Sequence, residues 1–266
     1  MSTERTPLPV IELSAAGIDP ATSTTAEVGL KIADRPVQLR FTVPNGPTPM
    51  AAMLPLFHGL TNLIVGIAEE NVVRNGEQIS CRAGCGACCR QIVPISESEA
   101  HAVKRLVAEM PEPRRMAVRQ RFADAVKRMA EAGMLKRLRH TERETNAITL
   151  GLDYFRVGLP CPFLEDESCS IDRDRPLACR EYLVTSPPEF CATQEPGKVR
   201  GVEIPADVSR AVRAVDKGSS AVGWVPLVLA LDWAETHPEP PATQTGPIVL
   251  QQVFERLAGQ PLSAAT

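Results

Sequence analysis

The sequence predicts a mainly α-helical protein with a small N-terminal β-hairpin and a helical domain built around a cysteine-ligated metal site. Three observations carry this expectation. Apolar/polar alternation is concentrated in residues 27–43, where its period of two suits a pair of strands. Elsewhere the apolar residues recur at helical spacing, as in Met53, Phe57, Leu60, Ile64 and Ile67. All eight cysteines lie between residues 81 and 191, in two sets.

Composition narrows the class. The chain has 266 residues, enough for one large domain or a domain with appendages. Aromatic residues make up only 4%, so the core must be aliphatic. The net charge of −3 gives no global pull toward nucleic acid or an anionic membrane, and neither is expected as a partner. The N-terminus lacks the basic and apolar regions of a secretory signal. The apolar stretches at 60–68 and 224–231 read as too short to span a bilayer. A cytoplasmic location follows, and that compartment keeps thiols reduced.

Residues 1–25 are polar and aperiodic and read as a loose N-terminal arm. A segment 26–77 follows, with a hairpin and then a helix. In the hairpin, Val28, Leu30 and Ile32 face Val37, Leu39, Phe41 and Val43 across a turn at Asp34-Arg35. Thr48-Pro49 starts the helix, with Pro55 expected to kink or delay it and Asn75-Gly76 to end it. Residues 78–195 are the cysteine-cluster domain. In it, Ile92–Ile95 is extended, and Ser96 with Glu99 forms a capping box for a helix whose apolar face is Ala100, Val103, Val107 and Met110. A second helix is expected over 114–140 with the stripe Val118, Phe122, Ala125 and Met129. Arg175-Pro176 opens a short helix carrying Cys179. Residues 196–266 supply C-terminal helices: one from Ile204-Pro205, one over 224–236 with Pro226 in its first turn, and one over 248–258. A Pro-rich linker near 237–247 separates the last two.

The helix over 114–139 carries nine Lys/Arg and two acids. It could dock an acidic protein partner or form a solvated face opposite the core stripe. No aromatic residues are interleaved for base stacking, which favours the solvated face.

The cysteines carry the chemistry. Cys81, Cys85, Cys88 and Cys89 fall within nine residues, and Cys161, Cys169, Cys179 and Cys191 follow. Buried free cysteines usually occur singly, so this density points to thiolates offered to zinc or to an iron–sulfur cluster. Disulfides are disfavoured in a reducing compartment. Cys81-x3-Cys85-x2-Cys88 is also the spacing of radical S-adenosylmethionine enzymes. Here, however, Ala87 stands where an aromatic is usual, Cys89 follows at once, and no strand–helix repeat is visible. Neighbouring side chains diverge, so Cys88 and Cys89 need not serve the same metal. Two four-thiolate sites and one site with spectator thiols both remain open. Thiolate ligands bring negative charge, and Arg82, Arg90, Arg173, Arg175 and Arg180 lie near enough in sequence either to offset it or to surround the site as solvent-facing charge.

Taken together, Cys81, Cys85, Cys88 and Cys89, then Cys161-Pro162-Phe163-Leu164, Cys169-Ser170-Ile171, Arg175-Pro176-Leu177-Ala178-Cys179-Arg180-Glu181-Tyr182 and Cys191 resemble the YkgJ-type cysteine-cluster family, a zinc- or iron-chelating group named for a CxxCxxCC-like motif. The likeness covers roughly 78–195. It implies metal binding by all eight cysteines without a settled reaction. One departure is Asp172, where the family usually has tyrosine; a surface substitution is the simpler reading. Flagellin lysine N-methylases have a similar cluster, and by that analogy methyl transfer from S-adenosylmethionine would use an iron–sulfur cluster. No Gly-rich S-adenosylmethionine loop is recognisable here.

Overall fold

The computed structural model describes residues 9–140, 146–195, 197–216, 224–258 and 262–264. They fall into two compact units, one of residues 9–71, 203–215, 241–258 and 262–264 and one of residues 72–140, 146–195, 197–202, 216 and 224–240.

The first unit is built on the hairpin. Strands β2 (Ser23–Ile32) and β3 (Arg35–Pro44) pair antiparallel with Val28 opposite Leu39 and Leu30 opposite Val37. The reversal uses Ala33 and Asp34, one residue earlier than the expected Asp34-Arg35, and Ala33 takes a left-handed φ of 51°. Leu30, Ile32, Val37, Leu39, Phe41 and Val43 are buried, the set that the alternation picks out. Two strands extend the sheet. Strand β1 (Val10–Ser14) lies parallel to β3, and β8 (Leu262–Ala264) lies antiparallel to β2, giving the order β1-β3-β2-β8. The expectation of a loose arm over 1–25 is therefore corrected for residues 10–14 and for the start of β2 at Ser23. Residues 1–8 lie outside the described ones.

Helix α1 (Met50–Arg74) continues through Pro55, so the proline does not delay it. It buries Met53, Leu56, Phe57, Leu60 and Ile64. By length and composition α1 is apolar enough to cross a membrane, unlike the shorter stretch read from the sequence; 44% of its most apolar window is buried. A core helix passes the same test. Helices α8 (Val208–Val215) and α10 (Gly246–Leu257) pack on one another. The Phe254 ring meets Phe41 of β3 edge-on at 5.3 Å.

The second unit is helical. The capping box forms as expected at the head of α2 (Glu97–Glu109), with Ser96 and Glu99 bonding reciprocally. The basic segment is two helices, α3 (Arg114–Glu131) and α4 (Leu135–Arg139), broken at Gly133, whose φ of 71° suits glycine. Val118, Phe122, Ala125 and Met129 of α3 are buried, as the stripe predicts. A further helix, α5 (Ala147–Arg156), precedes the second cysteine set.

The segment 224–231 differs from its expected helical form. Strand β7 (Val225–Pro226) pairs antiparallel with β4 (Pro94–Ile95), and a 3-10 turn at Leu227–Leu229 leads into α9 (Ala230–Thr236). Pro226 thus sits opposite Pro94 in a short ladder. Helix α9 packs against α2, and Phe163, Ile171, Phe122 and Leu231 share one buried cluster against which Cys161 and Cys169 rest.

Candidate metal centre

The first cysteine set lies on a loop that ends in a 3-10 turn at Ala87–Arg90, so Cys88 and Cys89 sit on one tight turn. Two glycines shape the loop in different ways. Gly84 has a φ of 84°, a conformation that other residues adopt at a cost. Gly86 has an ordinary φ of −87°, but a Cβ there would stand 2.5 Å from Glu167 Oε2 and 2.8 Å from Leu164 Cδ1. Its service is room for a neighbouring segment, not the bend that its motif position suggests.

That neighbour is the second cysteine set. Strands β5 (Leu164–Glu165) and β6 (Ser168–Cys169) form a two-stranded turn that places Cys169 opposite Leu164. Cys179 rides on α6 (Leu177–Glu181), and Cys191 on α7 (Pro188–Thr193), which packs on the Cys88–Cys89 turn.

Backbone bonds stitch the two sets together. The Cys161 N–H donates to the Cys89 carbonyl at 2.7 Å, and the Gly84 N–H to Ser168 Oγ at 3.0 Å. The Ser80 N–H donates to the Val184 carbonyl at 2.9 Å, and the Val184 N–H to Cys81 Sγ at 3.4 Å. Arg90 grips both sides of the loop–hairpin contact: Nη1 donates to the Gly86 carbonyl, and both Nη atoms reach the Glu167 carboxylate at 2.7–2.9 Å. Gln91 Nε2 donates to the Tyr182 hydroxyl at 3.1 Å.

The basic helix buttresses the same region. Arg114 donates to the Ser170 carbonyl at 2.6 Å, and Arg121 to the Pro162 carbonyl and Glu165. Arg119 and Arg139 pair with Glu235 and Asp232 of α9, and Arg137 with Asp153 of α5. Much of the charge that marks this segment in the sequence is thus spent inside the unit.

All eight cysteines are free thiols; Cys191 is buried and the others are partly exposed. Among the described residues, no group of three or more His, Cys, Asp or Glu side chains already surrounds one point as the ligands of an ion would. Burial pushes most of these thiols up: Cys161 to about 12, Cys179 well above its usual value, and Cys81, Cys169 and Cys191 in the same direction. Cys88 is the exception. Its hydrogen bond with the Cys89 thiol holds it down, and the same bond drives Cys89 up. Such thiols release their protons to a metal rather than to water, and an all-sulfur donor set with no histidine in 81–89 or 161–191 fits a soft metal.

Of the five arginines offered by the sequence as counter-charges, Arg175 stands out. Its charge favours the thiolates of Cys81 and Cys88 from the first set and Cys169 from the second. Arg90 is engaged with Glu167, and Arg180 donates to the carbonyls of Arg173 and Arg175. Asp172 is largely exposed and pairs with Arg175 at 3.2 Å, as a surface substitution would. The sequence also missed Glu99 as a participant: its Oε1 accepts the Leu177 N–H at the head of α6, the helix of Cys179.

Residues 80–197 match the family model CxxCxxCC, described as "Putative zinc- or iron-chelating domain". No curated protein and no solved structure matches the chain. The family match supports metal binding by the cysteines.

Proposed function

We propose that the thiols of both sets together hold a metal centre, an iron–sulfur cluster in preference to zinc, a reading supported by the match of residues 80–197 to a zinc- or iron-chelating family model. The observation that carries the reading is the 2.7 Å bond from the Cys161 N–H to the Cys89 carbonyl, which joins the sets through their backbones. Structural zinc sites often mix histidine with cysteine, whereas iron–sulfur clusters usually take cysteine alone, and the two cysteine segments contain no histidine. When bound, the group supplies electron transfer or, as zinc, a structural cross-link. The protein's own residues bind it, offset its charge through Arg175, and shield it with Phe163 and Ile171, buried beside Cys161 and Cys169. A reducing compartment such as the cytoplasm belongs to this reading, since it keeps thiols available.

The test is purification without oxygen, followed by iron, sulfide and zinc analysis and a visible spectrum. Iron and acid-labile sulfide with broad absorbance near roughly 400 nm are expected. Colourless protein with neither iron nor zinc, and no uptake on reconstitution, overturns the proposal.

A further inference from the structure

We infer that Tyr154 is a positioning residue of the metal centre, its hydroxyl donating a hydrogen bond to the sulfur of metal-bound Cys161, directly or through one water. This rests on the metal reading above and goes beyond it, since the thiols alone would satisfy that reading.

The phenol of Tyr154 is a polar group in an apolar place. It lies on α5 in a buried cluster with Leu150, Leu159 and Val228, and only 3% of the residue is exposed. A buried tyrosine hydroxyl normally finds a hydrogen-bond partner, and leaving it without one is destabilising. Among the described residues the Tyr154 hydroxyl has none. The protein's other tyrosine shows the contrast, since the Tyr182 hydroxyl accepts from Gln91 Nε2 at 3.1 Å.

Tyr154 does border a space that it shares with a thiol. A cavity of about 10 Å³ is lined by Tyr154, Cys161 and Gln91, and otherwise by apolar residues such as Ile92, Pro162 and Leu227. That volume holds one water at most. The two groups are close enough for negative charge on Cys161 to act on the phenol.

Metal binding supplies the missing acceptor. In the metal-free chain Cys161 is a free thiol, whose sulfur accepts only weakly. As a metal ligand it is a thiolate, and hydrogen bonds to charged acceptors are the stronger kind. The bond would orient the Cys161 sulfur and draw electron density from it, which is how groups around a metal site tune the metal.

Cobalt(II) titration of the full-length, reduced, metal-free protein under argon tests the inference, with Tyr154→Phe compared with wild type. The wild type should show a thiolate-to-cobalt charge-transfer band. In Tyr154→Phe the band should move to longer wavelength, because a thiolate without its hydrogen bond gives up charge more readily. Cobalt should be held roughly tenfold less tightly, the usual scale for removing the partner of a metal ligand. Denaturant unfolding of the metal-free variant should show no loss of stability, since the hydroxyl has no bond to lose there. Tyr154→Met repeats the test should the phenylalanine variant lose its helical circular dichroism. A folded variant with the wild-type band and affinity overturns the role of Tyr154 while leaving the metal centre in place. So does a loss of metal-free stability as large as the loss of binding, which would mark the hydroxyl as merely structural. No charge-transfer band in the wild type overturns the metal reading and this inference with it.

Discussion

The carboxylate of Glu99 ties two helix starts together: Oε2 accepts the Ser96 N–H at 2.8 Å, and Oε1 accepts the Leu177 N–H, 78 residues further on, also at 2.8 Å. Glu99 is buried, so both bonds are made away from competing water. The Leu177 bond fixes the start of the helix that carries Cys179.

Glu99→Ala should therefore cost roughly 2 kcal/mol of stability, more than an exposed cap would. Denaturant unfolding of the metal-free protein checks the size. A cost below about 0.5 kcal/mol, the range of ordinary surface changes, would show that Glu99 is an ordinary cap with no hold on α6.

The Gly86 contact predicts a coupled pair. Gly86→Ala places a methyl against Glu167 and Leu164 and should cost about 1–2 kcal/mol by overpacking. Glu167→Ala alone removes a half-exposed ion pair with Arg90 and should cost less than about 1 kcal/mol. The double variant should be less damaged than the sum of the two, because trimming Glu167 makes part of the room. Strict additivity in a double-mutant cycle would contradict the close approach.

Arg175 is predicted to set metal affinity. Its charge acts on thiols from both sets, and it is partly exposed, so solvent screens part of the effect. Arg175→Ala should weaken metal binding roughly three- to tenfold in competition with a chromophoric chelator. Arg175→Lys should recover part of the loss, because it restores charge without the guanidinium geometry.

The contribution of His101 to stability should fall as pH drops from neutral. Burial lowers His101 from its usual 6.5, with Arg105 and Lys104 adding to the shift and Glu239 and Asp216 opposing it. The unfolded chain then binds more protons than the folded one below 6.5. The contribution is present above that pH and is lost as pH falls through the folded value. Asp216 acts in the other sense. Burial raises it from 3.8, so its contribution is complete below 3.8 and is lost as pH rises through the folded value. The difference between wild type and His101→Phe isolates the histidine. It should grow in the variant's favour from pH 7 to pH 5, as read by denaturant midpoints.

Much of this was legible because the signals are local. The register of β2 with β3 follows from alternation, the Ser96–Glu99 box from a spacing of three, and the α3 stripe from period. What was missed depends on partners far away in the chain. Val10–Ser14 is a short apolar run whose strand character comes from β3, 28 residues later. Pro226 satisfies the rule for a helix start as well as it satisfies an edge ladder, and only Pro94 decides between them. At the site, cysteine spacing revealed the donors, but the second role of Glu99 and the contact behind Gly86 each needed a segment roughly 80 residues away.

X-ray absorption at the iron and zinc edges of anaerobically purified protein tests the central claim most directly. Sulfur scatterers alone, at about 2.3 Å, are predicted for the metal that co-purifies. A first shell containing nitrogen or oxygen near roughly 2.0–2.1 Å would contradict an all-thiolate centre built from the two cysteine sets.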